Sequence, residues 1–222
     1  MTIHFSIDDV VKAFRYLTKN CPASIFDVRL FGKLREWHRE FGLIVSLYCF
    51  NEIDDFTLSQ IPEKYMEDFR ASCDWLKIGF HGKCGNYPFK HEVDYITGFE
   101  SVEQAISQLG AGKTNILRLH SWQATQSQKK FLFEKGIKIL LYPNEGIEYD
   151  NNDAFYDGII THWRTRVWFE KIELINEKSL CIGMERIVAF THERCFEYEA
   201  QKIEKALKIW KGEGYGWHLS FH

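Results

Sequence analysis

The chain has 222 residues, 45% of them apolar and 27% charged, with a formal net charge of -3 and a pI near 6.3. This length suits one domain, residues 1–222, with a sizeable core. No stripe of Lys and Arg runs along the chain, so no nucleic-acid partner is expected. No run approaches the roughly 18 apolar residues of a membrane span, so no membrane partner is expected either. The start, from Met1 to Asp8, lacks the basic cluster, apolar stretch and cleavage site of a secretory signal, which points to a cytoplasmic protein. The six cysteines show neither zinc-knuckle nor redox spacing and read as reduced, structural thiols. Aromatic residues reach 16%, including seven Trp, and most are expected in the core.

In chain order, residues 3–7 read as a first strand and residues 10–18 as a helix. A second helix is predicted over 25–41, where Phe26, Leu30, Leu34, Trp37 and Phe41 recur at three- and four-residue spacing. Gly42 stops it before a strand over 43–48. Pro62 opens a helix towards Cys73, and a third strand follows over 75–80. A polar stretch at 83–91 leads to a helix over 101–109 and a strand over 115–119. A helix over 125–135, closed by Gly136, precedes a strand over 137–141. Residues 142–157 read as a long loop, 158–161 as a short strand and 164–174 as a strand or β-rich excursion. The last buried strand is predicted over 187–191. A helix then covers 197–211, with Ile203, Ala206, Leu207 and Trp210 on one face, before a short apolar piece at 217–221. This alternation is the pattern of an α/β architecture, here a single barrel-like unit.

Ionisable groups recur where strands stop: Asp8 and Asp9 after the first, His81 after the third, His120 after the fourth and His192 after the last. An aspartate at a strand-helix junction also serves as a helix N-cap, so Asp8 and Asp9 admit that reading as well. In a closed parallel barrel such strand ends lie on one face, where residues remote in sequence meet. A carboxylate pair beside several imidazoles suits a metal site with an adjacent proton acceptor.

The segments Ser6-Ile7-Asp8-Asp9-Val10, Phe80-His81-Gly82, Arg118-Leu119-His120 and Ala189-Phe190-Thr191-His192-Glu193 stand in the order of the motifs of polysaccharide deacetylases. Over nearly its whole length the chain resembles that superfamily, the NodB-homology or carbohydrate esterase family 4 group, as a divergent member. The resemblance implies a distorted (β/α)7 TIM-like barrel and a hydrolase that removes an acyl group from an N-acylated sugar or a related small amide. It makes Asp8 the base, His192 the acid that protonates the leaving amine, and Arg118 the partner that orients the catalytic aspartate. A divalent metal, zinc by preference, would be held by Asp9 and His81. The family's second motif carries another histidine four residues after the first, and here that place is Gly85. The third ligand is therefore His120, His91 or Cys84, with His120 placed first because a strand end is better fixed than a polar loop.

Two other functions fit the same residues. A deacetylase homologue without the metal chemistry could bind glycans non-catalytically, with Trp122, Trp163 and Trp168 stacking on sugar rings. A barrel glycosidase would need a carboxylate pair, for which Asp8 and Glu193 are the candidates. The sequence implies a carbohydrate or small-molecule partner and does not set the oligomeric state.

Overall fold

The computed structural model describes residues 1–84, 92–122, 124–143 and 154–217. The chain opens with β1 (Thr2–Val10), α1 (Lys12–Asn20), α2 (Arg29–Phe41) and β2 (Val45–Phe50), followed by a small hairpin of β3 (Glu52–Ile53) and β4 (Phe56–Thr57). Next come α3 (Met66–Ala71), β5 (Leu76–Gly82), α4 (Glu92–Leu109), β6 (Gly112–Lys113), β7 (Ile116–Leu117), α5 (Gln126–Glu134) and β8 (Ile139–Tyr142). It ends with β9 (Ala154–Tyr156), β10 (Thr161–Arg164), β11 (Val167–Trp168), β12 (Arg186–His192), α6 (Phe196–Gly212) and β13 (Gly216–Trp217).

The central strands β1 and β2 are buried on both faces, as parallel strands covered by helices are, and β1 carries His4, Ser6 and Asp8 into that interior. They lie inside a parallel seven-stranded sheet of order β11-β12-β1-β2-β5-β6, with β13 paired to the start of β1. A second sheet runs β7-β8-β10-β9, with β9 antiparallel at its edge. The fold is α/β around a parallel sheet, as expected, but no ladder closes it into a barrel among the described residues. The reason lies in strand length, because β6, β7 and β11, which stand at the seams, each have two residues. At one seam the sheets touch through side chains instead. A Cβ on Gly79 of β5 would come within 2.7 Å of Thr114 and 2.8 Å of Leu117, so only glycine admits this approach.

Polar links span the interior in place of the missing ladders. The Tyr48 hydroxyl on β2 donates to the Ile116 carbonyl on β7 at 2.9 Å and lies 2.9 Å from His4 Nε2 on β1. The outer helices bury the stripes read from the sequence. On α2 these are Leu30, Phe31, Leu34, Trp37 and Phe41, and Trp37 meets Phe196 of α6 at a ring separation of 5.5 Å. Among the described residues no helix is long and apolar enough to cross a membrane, and all six cysteines are free thiols.

Several boundaries move. The helix read over 25–41 breaks at Val28, which is extended (φ -80°, ψ 126°) and separates α2 from a short turn at Ile25–Asp27 that a Ser24–Asp27 capping box opens. The 101–109 helix is the C-terminal half of α4. The strand read over 158–161 falls at Thr161–Arg164. The long loop read at 142–157 contains β9, while residues 144–153 lie outside the described residues, as do 85–91 and 218–222. The first strand continues through both aspartates to Val10, so neither caps α1. That task falls to Glu193, distant in sequence, whose carboxylate accepts from the backbone N–H groups of Val11 (3.1 Å), Lys12 (2.9 Å) and Ala13 (2.6 Å).

Glu193→Ala should therefore lower stability by about 1–2 kcal/mol, the cost of a lost N-cap, with Glu193→Gln losing less; urea denaturation measures both. Asp157 makes a comparable anchor, accepting from the Ile159 and Ile160 amides, from Lys129 of α5 and from His162 of β10. Burial raises its pKa, but these donors outweigh burial and hold it below the ordinary 3.8. A depressed carboxylate contributes stability above its unfolded pKa and loses it as pH falls through the folded value. The stability gap between wild type and Asp157→Asn should thus be about 1–3 kcal/mol at neutral pH and close only below about pH 4. A gap that stays constant down to pH 2 would remove the carboxylate from the explanation.

Candidate metal and acid-base site

The site is built on a defect in β1. Pairing of β1 with β2 shifts register between Ile7 and Val10, and Asp9 takes φ 60°, a left-handed conformation that aspartate tolerates better than most residues. In a regular strand adjacent side chains point to opposite faces. Here the bulge lets both aspartates serve one site, Asp8 from within the core and Asp9 from its rim.

Asp8 is buried and faces Arg118, whose Nε lies 3.0 Å from Asp8 Oδ2; both side chains are 1% exposed. Arg118 also donates from Nη1 to the Thr165 hydroxyl at 2.8 Å. Its guanidinium sits in the corner formed by the nearly perpendicular rings of Phe190 (4.0 Å) and Trp122 (4.5 Å), whose centroids are 5.6 Å apart. Burial pushes the Asp8 carboxyl above its ordinary pKa, with the Arg118 charge opposing that rise. The two effects leave a carboxyl group with more affinity for a proton than an exposed aspartate has.

Asp9 Oδ1 lies 3.2 Å from His81 Nε2 and 3.8 Å from His120 Nδ1. The three side chains each present one donor atom within 4.8 Å of the others, and they are the cluster able to hold a metal among the described residues. The donor chemistry fits an ion such as zinc, whose tetrahedral ligand atoms stand about 3.3 Å apart. The tautomer fits too. His81 Nδ1 is 2.6 Å from the Arg118 carbonyl, which only accepts, so Nδ1 carries a proton and Nε2 is the ring atom turned towards Asp9. Phe50 holds both imidazoles edge-on at 5.1 Å. Burial and the neighbouring His81 lower the His120 pKa, which favours its neutral form. Burial raises the Asp9 pKa, but His81 and Arg194 outweigh it and keep Asp9 below the ordinary carboxylate range.

His192 stands beside Asp8 in the sheet register. Its Nδ1 lies 3.0 Å from Glu170 Oε1, which also accepts from the His192 amide (2.7 Å) and the Thr191 hydroxyl (3.0 Å). Burial raises the Glu170 pKa, but these bonds more than offset it and hold the group ionised. The ring is thereby fixed with Nδ1–H on Glu170 and Nε2 free of that bond.

All six residues singled out in the sequence, Asp8, Asp9, His81, Arg118, His120 and His192, meet here. Of the other ligand candidates, Cys84 lines the cavity of about 350 Å³ in front of Asp9 and His120 but stands outside the donor cluster. His91 and Gly85 lie outside the described residues. Trp163 is buried in the core at 1% exposure, with Arg186 stacked on it at 4.4 Å, and so offers no face to a sugar. Glu193 is engaged through both oxygens in capping α1, which removes it as a glycosidase carboxylate. Two participants escaped the sequence reading. Glu170 follows a two-residue strand with no motif around it, and Arg194, whose Nη1 reaches Asp9 Oδ2 at 3.0 Å, sits in an ordinary charged run.

No family model matches the chain, and no curated protein matches it. Solved structures do. A peptidoglycan N-acetylglucosamine deacetylase superposes with a TM-score of 0.61 at 12% identity, covering 98% of this chain and 85% of that one. A family 4 acetyl xylan esterase from Clostridium thermocellum, solved with a cobalt ion, gives 0.56 at 10% identity, with 98% and 87% covered. The 4-alpha-glucanotransferase of Thermococcus litoralis gives 0.64 at 14% identity, covering 99% of this chain but 39% of that larger one. At these identities the likeness establishes a shared fold, that of the carbohydrate esterase family 4 deacetylases, and the same fold also carries a glucanotransferase.

Removing Arg118 should expose how far the site depends on its buried pair. Arg118→Met leaves Asp8 in the core without a counter-charge and should cost about 3–5 kcal/mol in urea denaturation, while the double variant with Asp8→Asn should recover part of that loss. Additive losses in the two single variants would show that the pair is not coupled.

Proposed function

We propose that the chain is a metal-dependent hydrolase that cleaves an N-acyl amide, acetyl or a relative, on a sugar or similar small substrate. The observation that carries this reading is the meeting of three elements around the bulge of β1: the Asp9-His81-His120 donor set, the buried Asp8-Arg118 pair and the His192-Glu170 pair. Asp9, His81 and His120 would hold a divalent ion, zinc by the character of two imidazoles and a carboxylate, which supplies Lewis acidity at the acyl carbonyl and acidifies the attacking water. Asp8, with its raised proton affinity, accepts a proton from that water. Arg118 holds the Asp8 carboxylate in place and balances its charge. His192, protonated, gives a proton from Nε2 to the departing amine, and Glu170 stabilises the imidazolium through Nδ1–H. The C–N bond breaks as the water oxygen joins the acyl carbon.

A second reading is favoured by Arg194. Its guanidinium already meets Asp9 Oδ2, so the carboxylate is partly neutralised from within the chain, which a protein that binds glycans without a metal would require.

Elemental analysis of untagged protein distinguishes the two. The hydrolase should carry about one zinc or similar ion per chain, lost in Asp9→Ala and His81→Ala, and release acetate from N-acetylglucosamine oligomers. His192→Ala should keep the metal yet lose about 10²- to 10⁴-fold in rate, and Glu170→Gln should lose less. Protein that takes up no added zinc or cobalt, releases no acetate and still binds the oligomers after chelation would establish the second reading instead.

A further inference from the structure

The cavity of about 350 Å³ is lined by Asp9 and His120 themselves, so a molecule that occupies it lies against the donor cluster. Its volume is near the lower end for small-molecule sites and suits a single sugar-sized compound. Most of its acidic lining is already committed. Asp9 is held by His81 and Arg194, Asp54 by Arg15 at 2.8 Å, and Glu193 by three backbone amides and the charge of Lys12. Glu52 is the exception. Among the described residues its carboxylate enters no hydrogen bond and no ion pair.

The backbone that carries Glu52 is, by contrast, well anchored. The amides of Asn51 and Glu52 donate to the Gly82 and Lys83 carbonyls at 3.0 and 2.9 Å, which ties β3 to the end of β5, the strand that carries His81. At the tip of the hairpin, Arg15 of α1 forks to Asp54 and Asp55, both at 2.8 Å. A half-buried carboxylate thus stands on the wall of the cavity at a fixed place, with no counter-charge from the described chain. A cation on the bound molecule would supply that charge. A hydroxyl would satisfy the same oxygens less well, because a hydrogen bond between two charged groups is roughly twice as strong as a neutral one.

We infer that Glu52 is a specificity-determining residue and that the substrate is a small N-acylated amino sugar with a second, unacylated amine, whose ammonium pairs with the Glu52 carboxylate. The inference rests on the hydrolase reading above and gives its substrate class. Hydrolysis of such a compound breaks its amide C–N bond, joins the water oxygen to the acyl carbon, and yields a diamino sugar and the free carboxylic acid.

The test compares N-acetylglucosamine with its 4-amino-4-deoxy and 6-amino-6-deoxy analogues, in each of which an ammonium replaces one hydroxyl of the same ring. Turnover by the metal-loaded protein and calorimetric binding are measured for wild type and for Glu52→Gln. At least one amino analogue should be preferred over N-acetylglucosamine by about tenfold or more, the effect of one charge-assisted contact, and Glu52→Gln should bring that ratio to about one. Turnover without the preference, or a preference that Glu52→Gln leaves untouched, would overturn the assignment of Glu52 while leaving the hydrolase intact. Glu52-dependent binding of an amino analogue without turnover of any amide would keep the recognition and overturn the hydrolase. Neither turnover nor binding would overturn both.

Discussion

The buried Arg118-Asp8 pair is the interaction on which the rest of the structure depends. Asp8 belongs to the seven-stranded sheet, Arg118 follows β7 of the four-stranded one, and Thr165, on the crossing between β10 and β11, takes a second guanidinium donor. One side chain thus ties together two sheets that no ladder joins among the described residues. A charge pair removed from water repays its desolvation best when its donors are used, and here Nη1 bonds Thr165 while Nε faces Asp8 and Nη2 has no hydrogen-bond partner. The Phe190 and Trp122 faces contribute by enclosing the guanidinium. Arg118 also sets the site through its backbone, because its carbonyl fixes the His81 tautomer.

The same economy recurs around the pair. Each ionisable group in the cleft is held by a neighbour that determines its proton state or its direction: His81 by a carbonyl, His192 by Glu170, Asp9 by His81 and Arg194. Glu193 shows how tightly the cleft is tied to the frame. It lines the cavity in front of Asp9, yet its carboxylate is committed to the first turn of α1, so the end of β12 and the start of α1 are locked together beside the site.

The resemblance to deacetylases and the geometry meet on the same residues by different routes. The motifs name Asp8, Asp9, His81, Arg118 and His192 by order along the chain, while the structure gathers them by distance. His120 belongs to neither the second motif nor the fourth strand, which ends at Leu117; it sits on a short irregular turn where Ser121 and Trp122 adopt positive φ. Its approach to Asp9 and His81 is a property of that turn. The Arg194 contact with Asp9 is a feature the motifs do not contain.

By itself the sequence determined the alternation of apolar runs and amphipathic helices and the five ionisable residues Asp8, Asp9, His81, His120 and His192 standing near strand ends. These follow from local rules, since burial on two faces, helical spacing and the chemistry of a side chain are all written in neighbouring residues. Only the tertiary structure decided that β1 bulges at Asp9, that the aspartates cap nothing because Glu193 does, that Trp163 is core, and that Glu170 stands behind His192. It also decided that no ladder closes the barrel among the described residues. Each of these joins residues tens to nearly two hundred positions apart, through hydrogen bonds and packing that no local spacing encodes.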